Sequence, residues 1–295
     1  GPVGCALTPD GGKLFVNCGE ASGSEDGGDE VTVIDVASRR VSPRVKLPLD
    51  ADHPATSPSV HDSPHPSFGH YPNPTGLVVS PLAGGLVFVG NGGFSDVSVL
   101  DLDKAVAGAS DAEVNRIPVE TGPFGMALSP DGSLVAVASR ESMSRHYEGG
   151  TVSIIDVVRA RERRRDAEVA RVPIGGADKT DRSRVFGVAF SEDGKLLVAS
   201  CFRTNAISVL DVEAALQGRP AELHRFYPVI ADGRPARPRG IAVCGRYACV
   251  IGGPKGGPQS SLVWLVDLDT GRIASTVLGV GNESYFLASI PDVRT

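Results

Sequence analysis

Four of the six histidines, His53, His61, His65 and His70, crowd into one stretch, DHPATSPSVHDSPHPSFGHYPNP. Imidazoles at that density suit zinc or copper, and His61, His65 and His70 are the candidate metal ligands, with His146 of RESMSRHYEGG as a fourth nitrogen donor. The competing reading is a proline-rich, solvated loop that holds no metal. A second set is cationic. Arg140, Arg145, Lys179, Arg182, Arg184, Arg203, Arg237 and Arg239 all fall in segments that separate apolar runs. The guanidinium fork matches carboxylate and phosphate. Arg140, Arg184, Arg203 and Arg239, with His146, are therefore the candidate binders of an anionic small molecule or polymer. Here the alternative is a charged surface with scattered ion pairs. The acidic stretch GEASGSEDGGDE offers Glu25, Asp26, Asp29 and Glu30 to calcium. It lacks the alternating ladder of known calcium loops, so a solvated acidic loop competes with that reading too.

Several reaction classes find no support. The chain carries no nucleophile elbow, no zinc-protease helix motif, no Walker loop and no dinucleotide fingerprint. The run RARERRRDAE (Arg159–Glu168) reads as a short solvated helix, with a patch for an acidic partner as the alternative. Five cysteines are an odd set with no zinc-finger or haem-attachment spacing. Cys244 and Cys249 flank a turn, CGRYAC, where a hairpin disulfide competes with two free thiols. The formal net charge of -6 gives no general attraction to nucleic acid or anionic lipid, and no apolar run reaches membrane-spanning length.

What positions these residues is a repeat. GPFGMALSPDGSLVAVAS (Gly122–Ser139) recurs as GPVGCALTPDGGKLFVNC, NPTGLVVSPLAGGLVFVG, RVFGVAFSEDGKLLVAS and RPRGIAVCGRYACVIGG. Each copy is a glycine, an apolar strand, a turn and a second apolar strand. In the Ser-Pro-Asp-Gly form, proline presets the first turn dihedral, aspartate bonds the local backbone and glycine accepts positive φ. A third strand follows: VTVIDV, VSVLDL, VSIIDV, ISVLDV and LVWLVDL. The aspartates that end these strands are Asp35, Asp101, Asp156, Asp211 and Asp267, spaced by 66, 55, 55 and 56 residues. They read as caps on the following turn rather than as a metal or catalytic set. A fourth strand is legible in RVKLPL, VNRIPVE, VARVPIG, HRFYPVI and IASTVLG.

Tandem four-stranded antiparallel units are the blades of a β-propeller. The prediction is an all-β, single-domain propeller over 1–295, with repeats near 1–50, 73–120, 122–175, 184–230 and 237–281 and a partial one at 282–295. In the partial repeat, NESYFLASIPD (Asn282–Asp292) reads as the first strand of a sixth blade. Two closures are compatible with this: a five-bladed ring with an added strand, or a ring completed by sequence outside this chain.

The motifs GxALSPDGxLxxVA at Gly125–Ala138 and VSVLDL at Val97–Leu102 resemble the YVTN-type propeller repeats of surface-layer and lactonase-like proteins, over nearly the whole chain. The resemblance implies an extracellular or periplasmic WD40-like binding or scaffold protein. It also implies a ligand or protein partner at the channel mouth, on the face that carries the strand-two-to-three and interblade loops. Those loops hold the histidines and arginines above. The first strands GCAL, GLVV, GMAL, GVAF and GIAV bear no acid, which argues against a channel glycosidase. A lactonase-like or metal-dependent enzyme using the His and Arg loops is the enzymatic alternative to a binder.

Overall fold

The computed structural model describes residues 2–19, 28–42, 44–49, 72–142, 147–174, 183–230, 232–254, 256 and 260–288. The chain partitions into two compact units, 1–171 and 172–295, and each is taken by itself.

The first unit contains three sheets in chain order. The first comprises β1 (Pro2–Leu7), β2 (Lys13–Cys18) and β3 (Glu30–Asp35), with two short outer pieces, β4 (Arg40–Val41) and β5 (Val45–Lys46), both pairing β3. The second runs β6 (Pro74–Ser80), β7 (Leu86–Asn91), β8 (Asp96–Asp101), helix α1 (Leu102–Ala107) and β9 (Glu113–Pro118). The third runs β10 (Pro123–Leu128), β11 (Leu134–Ser139), a small hairpin of β12 (Glu141–Ser142) and β13 (Tyr147–Glu148), then β14 (Thr151–Asp156), α2 (Val157–Arg161) and β15 (Glu168–Pro173). In the second unit, β16 (Val185–Phe190), β17 (Leu196–Cys201), β18 (Ala206–Asp211), α3 (Val212–Leu216) and β19 (Glu222–Phe226) form one sheet. The other is β20 (Ile241–Cys244), β21 (Tyr247–Gly252), β22 (Leu262–Asp267) and β23 (Arg272–Leu278).

Every sheet is an antiparallel meander, as the repeat predicts. The predicted fourth strand of the first repeat, RVKLPL, forms only its Val45–Lys46 piece, and Arg40–Val41 supplies the rest of the edge. Pro43 stands between the two pieces in sequence, and a proline has no amide to give a ladder.

The Ser/Thr-x-Asp turns are built alike in three repeats. The Thr8, Ser129 and Ser191 hydroxyls donate to Asp10, Asp131 and Asp193 at 2.5, 2.6 and 2.7 Å. Each hydroxyl oxygen also accepts the amide that opens or nearly opens the second strand, from Lys13, Leu134 and Leu196. The strand-ending aspartates cap as predicted. Asp101, Asp156 and Asp211 accept the amides of Lys104, Arg159 and Ala214 at the starts of the three short helices. Asp35 and Asp267 do the same for Ser38 and Thr270 in turns. The basic run supplies the last three residues of the five-residue α2 and one tight turn at Arg165–Ala167, and Arg161 pairs with Asp101 of the second sheet at 2.6 Å.

The second sheet is buried on both faces, by the first sheet and by the third, which explains its lack of apolar–polar alternation. Phe15, Val31, Val79 and Val87 pack the first sheet on the second, and Phe88, Val99, Val135 and Val137 pack the second on the third. In the second unit Val198, Val209, Val250 and Trp264 join its two sheets. All five cysteines are free thiols. Cys249 stands opposite Ala242 and Cys244 opposite Tyr247, so the two hairpin thiols are not a facing pair. Among the described residues no helix is long and apolar enough to cross a membrane.

Candidate functional site

The entry to the first strand is built alike in four repeats. Three residues before the strand glycine the backbone turns left-handed: Asn73 (φ 50°), Gly122 (68°), Arg184 (51°) and Arg237 (45°). The glycine then lies flat against the next repeat. A Cβ on Gly4 would stand 2.6 Å from the Thr75 carbonyl oxygen, on Gly76 2.0 Å from that of Phe124, and on Gly187 2.7 Å from that of Arg239. Only a residue without a Cβ allows this approach.

The same two marks extend past the fifth sheet. Glu283 is left-handed (φ 47°), and Gly240 would meet Tyr285 and Phe286 as the earlier glycines meet their neighbours. Residues 282–288 therefore occupy the register of a sixth repeat, with Phe286 in the glycine's place. The predicted strand is not formed there among the described residues. One main-chain bond, Gly240 amide to Tyr285 carbonyl at 2.9 Å, reaches this segment from β20's side, too little for a ladder.

The residue just before the strand glycine meets the first loop residue after the second strand. In the first unit this pair is Phe124 and Arg140, the guanidinium 4.6 Å from the ring centre. Arg140 is held there by its amide, which donates to the Gly122 carbonyl at 2.8 Å. In the second unit the pair is Phe186 and Phe202, stacked with centroids 6.1 Å apart. Around Phe202 three guanidinium carbons converge, those of Arg184, Arg237 and Arg239, at 5.8, 5.6 and 5.8 Å from the ring centre. Phe186 also packs on Tyr285 and Phe286, at 6.0 and 6.1 Å.

Arg239 is the centre of this cluster and is fully buried. Its guanidinium lies 4.7 Å from the Tyr285 ring centre, donates to the Ser284 and Gly253 carbonyls at 3.1 and 3.2 Å, and leaves Nε without a hydrogen-bond partner. Burial pulls its pKa below the ordinary arginine value. Among the described residues no carboxylate lies within ion-pair distance of Arg237 or Arg239. The Arg237 amide donates to the Asn205 side chain at 3.0 Å, which holds its left-handed turn.

Of the predicted site residues, Arg184 and Arg239 come together at Phe202. Arg203 is exposed beside it, its amide donating to the Ser183 carbonyl at 3.0 Å. Arg140 lies in the first unit. His61, His65, His70 and His146 lie outside the described residues, as do Glu25 and Asp26. Among the described residues no three His, Cys, Asp or Glu side chains cluster as a metal site. The sequence places Arg237 among the loop cations but not in the binding set, and it gives Phe186, Phe202, Tyr285 and Phe286 no role in the site. The available signal was an aromatic residue directly before the strand glycine in two repeats, PFG and VFG.

Comparison with known proteins bears on the fold. No family model and no curated protein matches the chain. Solved structures do. Hydrazine synthase of Kuenenia stuttgartiensis is similar with a TM-score of 0.61 and 21% identity, over 92% of this chain and 64% of that one. A streptogramin B lyase is similar with a TM-score of 0.59 and 14% identity, over 96% and 70%. A functionally unknown protein of Desulfotomaculum acetoxidans DSM 771 is similar with a TM-score of 0.62 and 13% identity, over 95% and 73%. This chain thus spans just under two thirds of the hydrazine synthase chain. With its own five sheets, these likenesses define an all-β protein of β-propeller fold. The fold alone assigns no activity.

Proposed function

We propose that this chain is a ligand-binding β-propeller that takes an anionic small molecule or polymer at the arginine cluster of its second unit. The observation that carries the reading is Arg239: a buried guanidinium with an unpartnered Nε and no carboxylate within ion-pair distance among the described residues. A buried cation balanced only by carbonyls and ring faces gains from an oxyanion beside it. Arg237 and Arg184, on the same aromatic ring, add charge that a ligand can reach from solvent, since neither is fully buried.

Two of the structural neighbours carry enzyme names, a lyase and a synthase. Those names belong to the neighbours, and the described cluster holds no imidazole or carboxylate placed for proton transfer. Binding is therefore the reading the geometry favours.

The test is thermal unfolding against inorganic phosphate and citrate at constant ionic strength. Stabilisation that saturates, and that Arg237→Ala and Arg184→Ala abolish, supports the reading. Indifference to both anions overturns it.

A further inference from the structure

The arginines do not stand alone. Their guanidinium groups lie within 5.8 Å of one ring centre, so they converge on a spot and do not line a groove for an extended polyanion. Beside that spot is a ledge of aromatic surface. Phe186 is buried, with Phe202, Tyr285 and Phe286 packed around it. The Tyr285 and Phe286 residues remain 38% and 58% exposed. Every other repeat with described contacts here carries glycine in the place of Phe286, so its ring is an addition to the repeat and not part of its core. Tyr285 also faces the Arg239 guanidinium, which links the cationic spot to the ledge.

Resting on the anion-binding reading above, we infer that the ligand is an amphipathic acid: a carboxylate for the half-buried Arg237, beside the buried charge of Arg239, and a flat apolar body for Tyr285 and Phe286. A small aliphatic acid or a free phosphate satisfies the arginines but leaves the ledge wet. An aromatic acid covers both, and ring-on-ring contact adds to the charge term.

The probes are 2-naphthoate, acetate, inorganic phosphate and the uncharged 2-naphthol, titrated calorimetrically into the whole chain. The expected result is that naphthoate binds at least about tenfold tighter than acetate. Phe286→Ala, and Tyr285→Ala as a second variant, should shrink that ratio to about threefold or less. Arg237→Ala should remove binding of both acids, with circular dichroism unchanged. Equal affinity for naphthoate, acetate and phosphate, or an unchanged ratio in both aromatic variants, overturns the ligand class while the arginine site stands. Naphthol binding as tightly as naphthoate also overturns it. If none of the charged probes binds, the arginine reading itself is overturned.

Discussion

The amide of Gly240 donates to the carbonyl of Tyr285 across 2.9 Å, and a Cβ on Gly240 would stand only 2.6 Å from that same oxygen. The contact repeats the one between Gly187 and Arg239 one blade earlier. Backbone meets backbone at each of these seams, so nothing flexible can yield. Gly240→Ala is expected to cost about 2–3 kcal/mol, as overpacking of a close interior contact does. Gly218→Ala is the control: nothing lies within 4 Å of its Cβ, and only its left-handed φ of 67° opposes alanine. That costs about 1 kcal/mol. Urea unfolding of the two variants measures the difference, and equal losses would refute the seam as the source.

The strands were legible because each repeat pairs two apolar runs across a turn whose residues each serve a purpose, and Ser129, Asp131 and Gly132 do what their types suggest. The edges were less so. The last strand of the fourth sheet ends at Phe226, before Pro228, while HRFYPVI reads through that proline. A pattern of apolar residues does not register the missing amide. The arginines of the site were legible as types and loop positions. Their aromatic partners were not, because a phenylalanine beside a strand reads as core. That Phe202 gathers three guanidinium groups depends on contacts between residues far apart in sequence.

Thiol chemistry should sort by burial. The thiolate is the nucleophile, and burial pushes Cys201 up to about 12. Burial also raises Cys249, whereas Cys5 and Cys244 are exposed. Iodoacetamide at pH 8, followed by peptide mass mapping, should label Cys5 and Cys244 first and Cys201 only in denaturant. Early labelling of Cys201 in the folded protein would contradict its placement in the core.

Acid should weaken the fold through its turns. Asp131 is held below the ordinary aspartate value, first by the Ser129 hydroxyl and then by the Ser133 amide and hydroxyl. Asp10 and Asp193 are lowered in the same way, first by Thr8 and Ser191. A carboxyl whose folded pKa lies below its unfolded one stabilises above the unfolded value and loses that contribution as pH falls through the folded one. Stability should therefore decline below about pH 4. The triple variant Asp10→Asn, Asp131→Asn, Asp193→Asn should show a shallower decline in urea midpoint between pH 5 and pH 3. An identical slope would place the acid sensitivity elsewhere.

A substitution at Arg237 would separate stability from the proposed binding. Its φ of 45° is costly for a side chain with a Cβ, and Arg184 carries the same strain at 51°. Glycine relieves that strain, though it adds entropy to the unfolded chain and removes the guanidinium from Phe202. The balance predicts that Arg237→Gly unfolds at a urea concentration equal to or above the parent's, with a gain of up to about 1 kcal/mol. The same variant should lose the response to anions. Glu283→Gly makes the same backbone change at φ 47° without removing a cation. It forfeits the bond from the Gly256 amide to the Glu283 carboxylate and should keep the anion response. If Arg237→Gly proves strongly destabilised, the guanidinium is holding the fold and the binding assignment must move to Arg184.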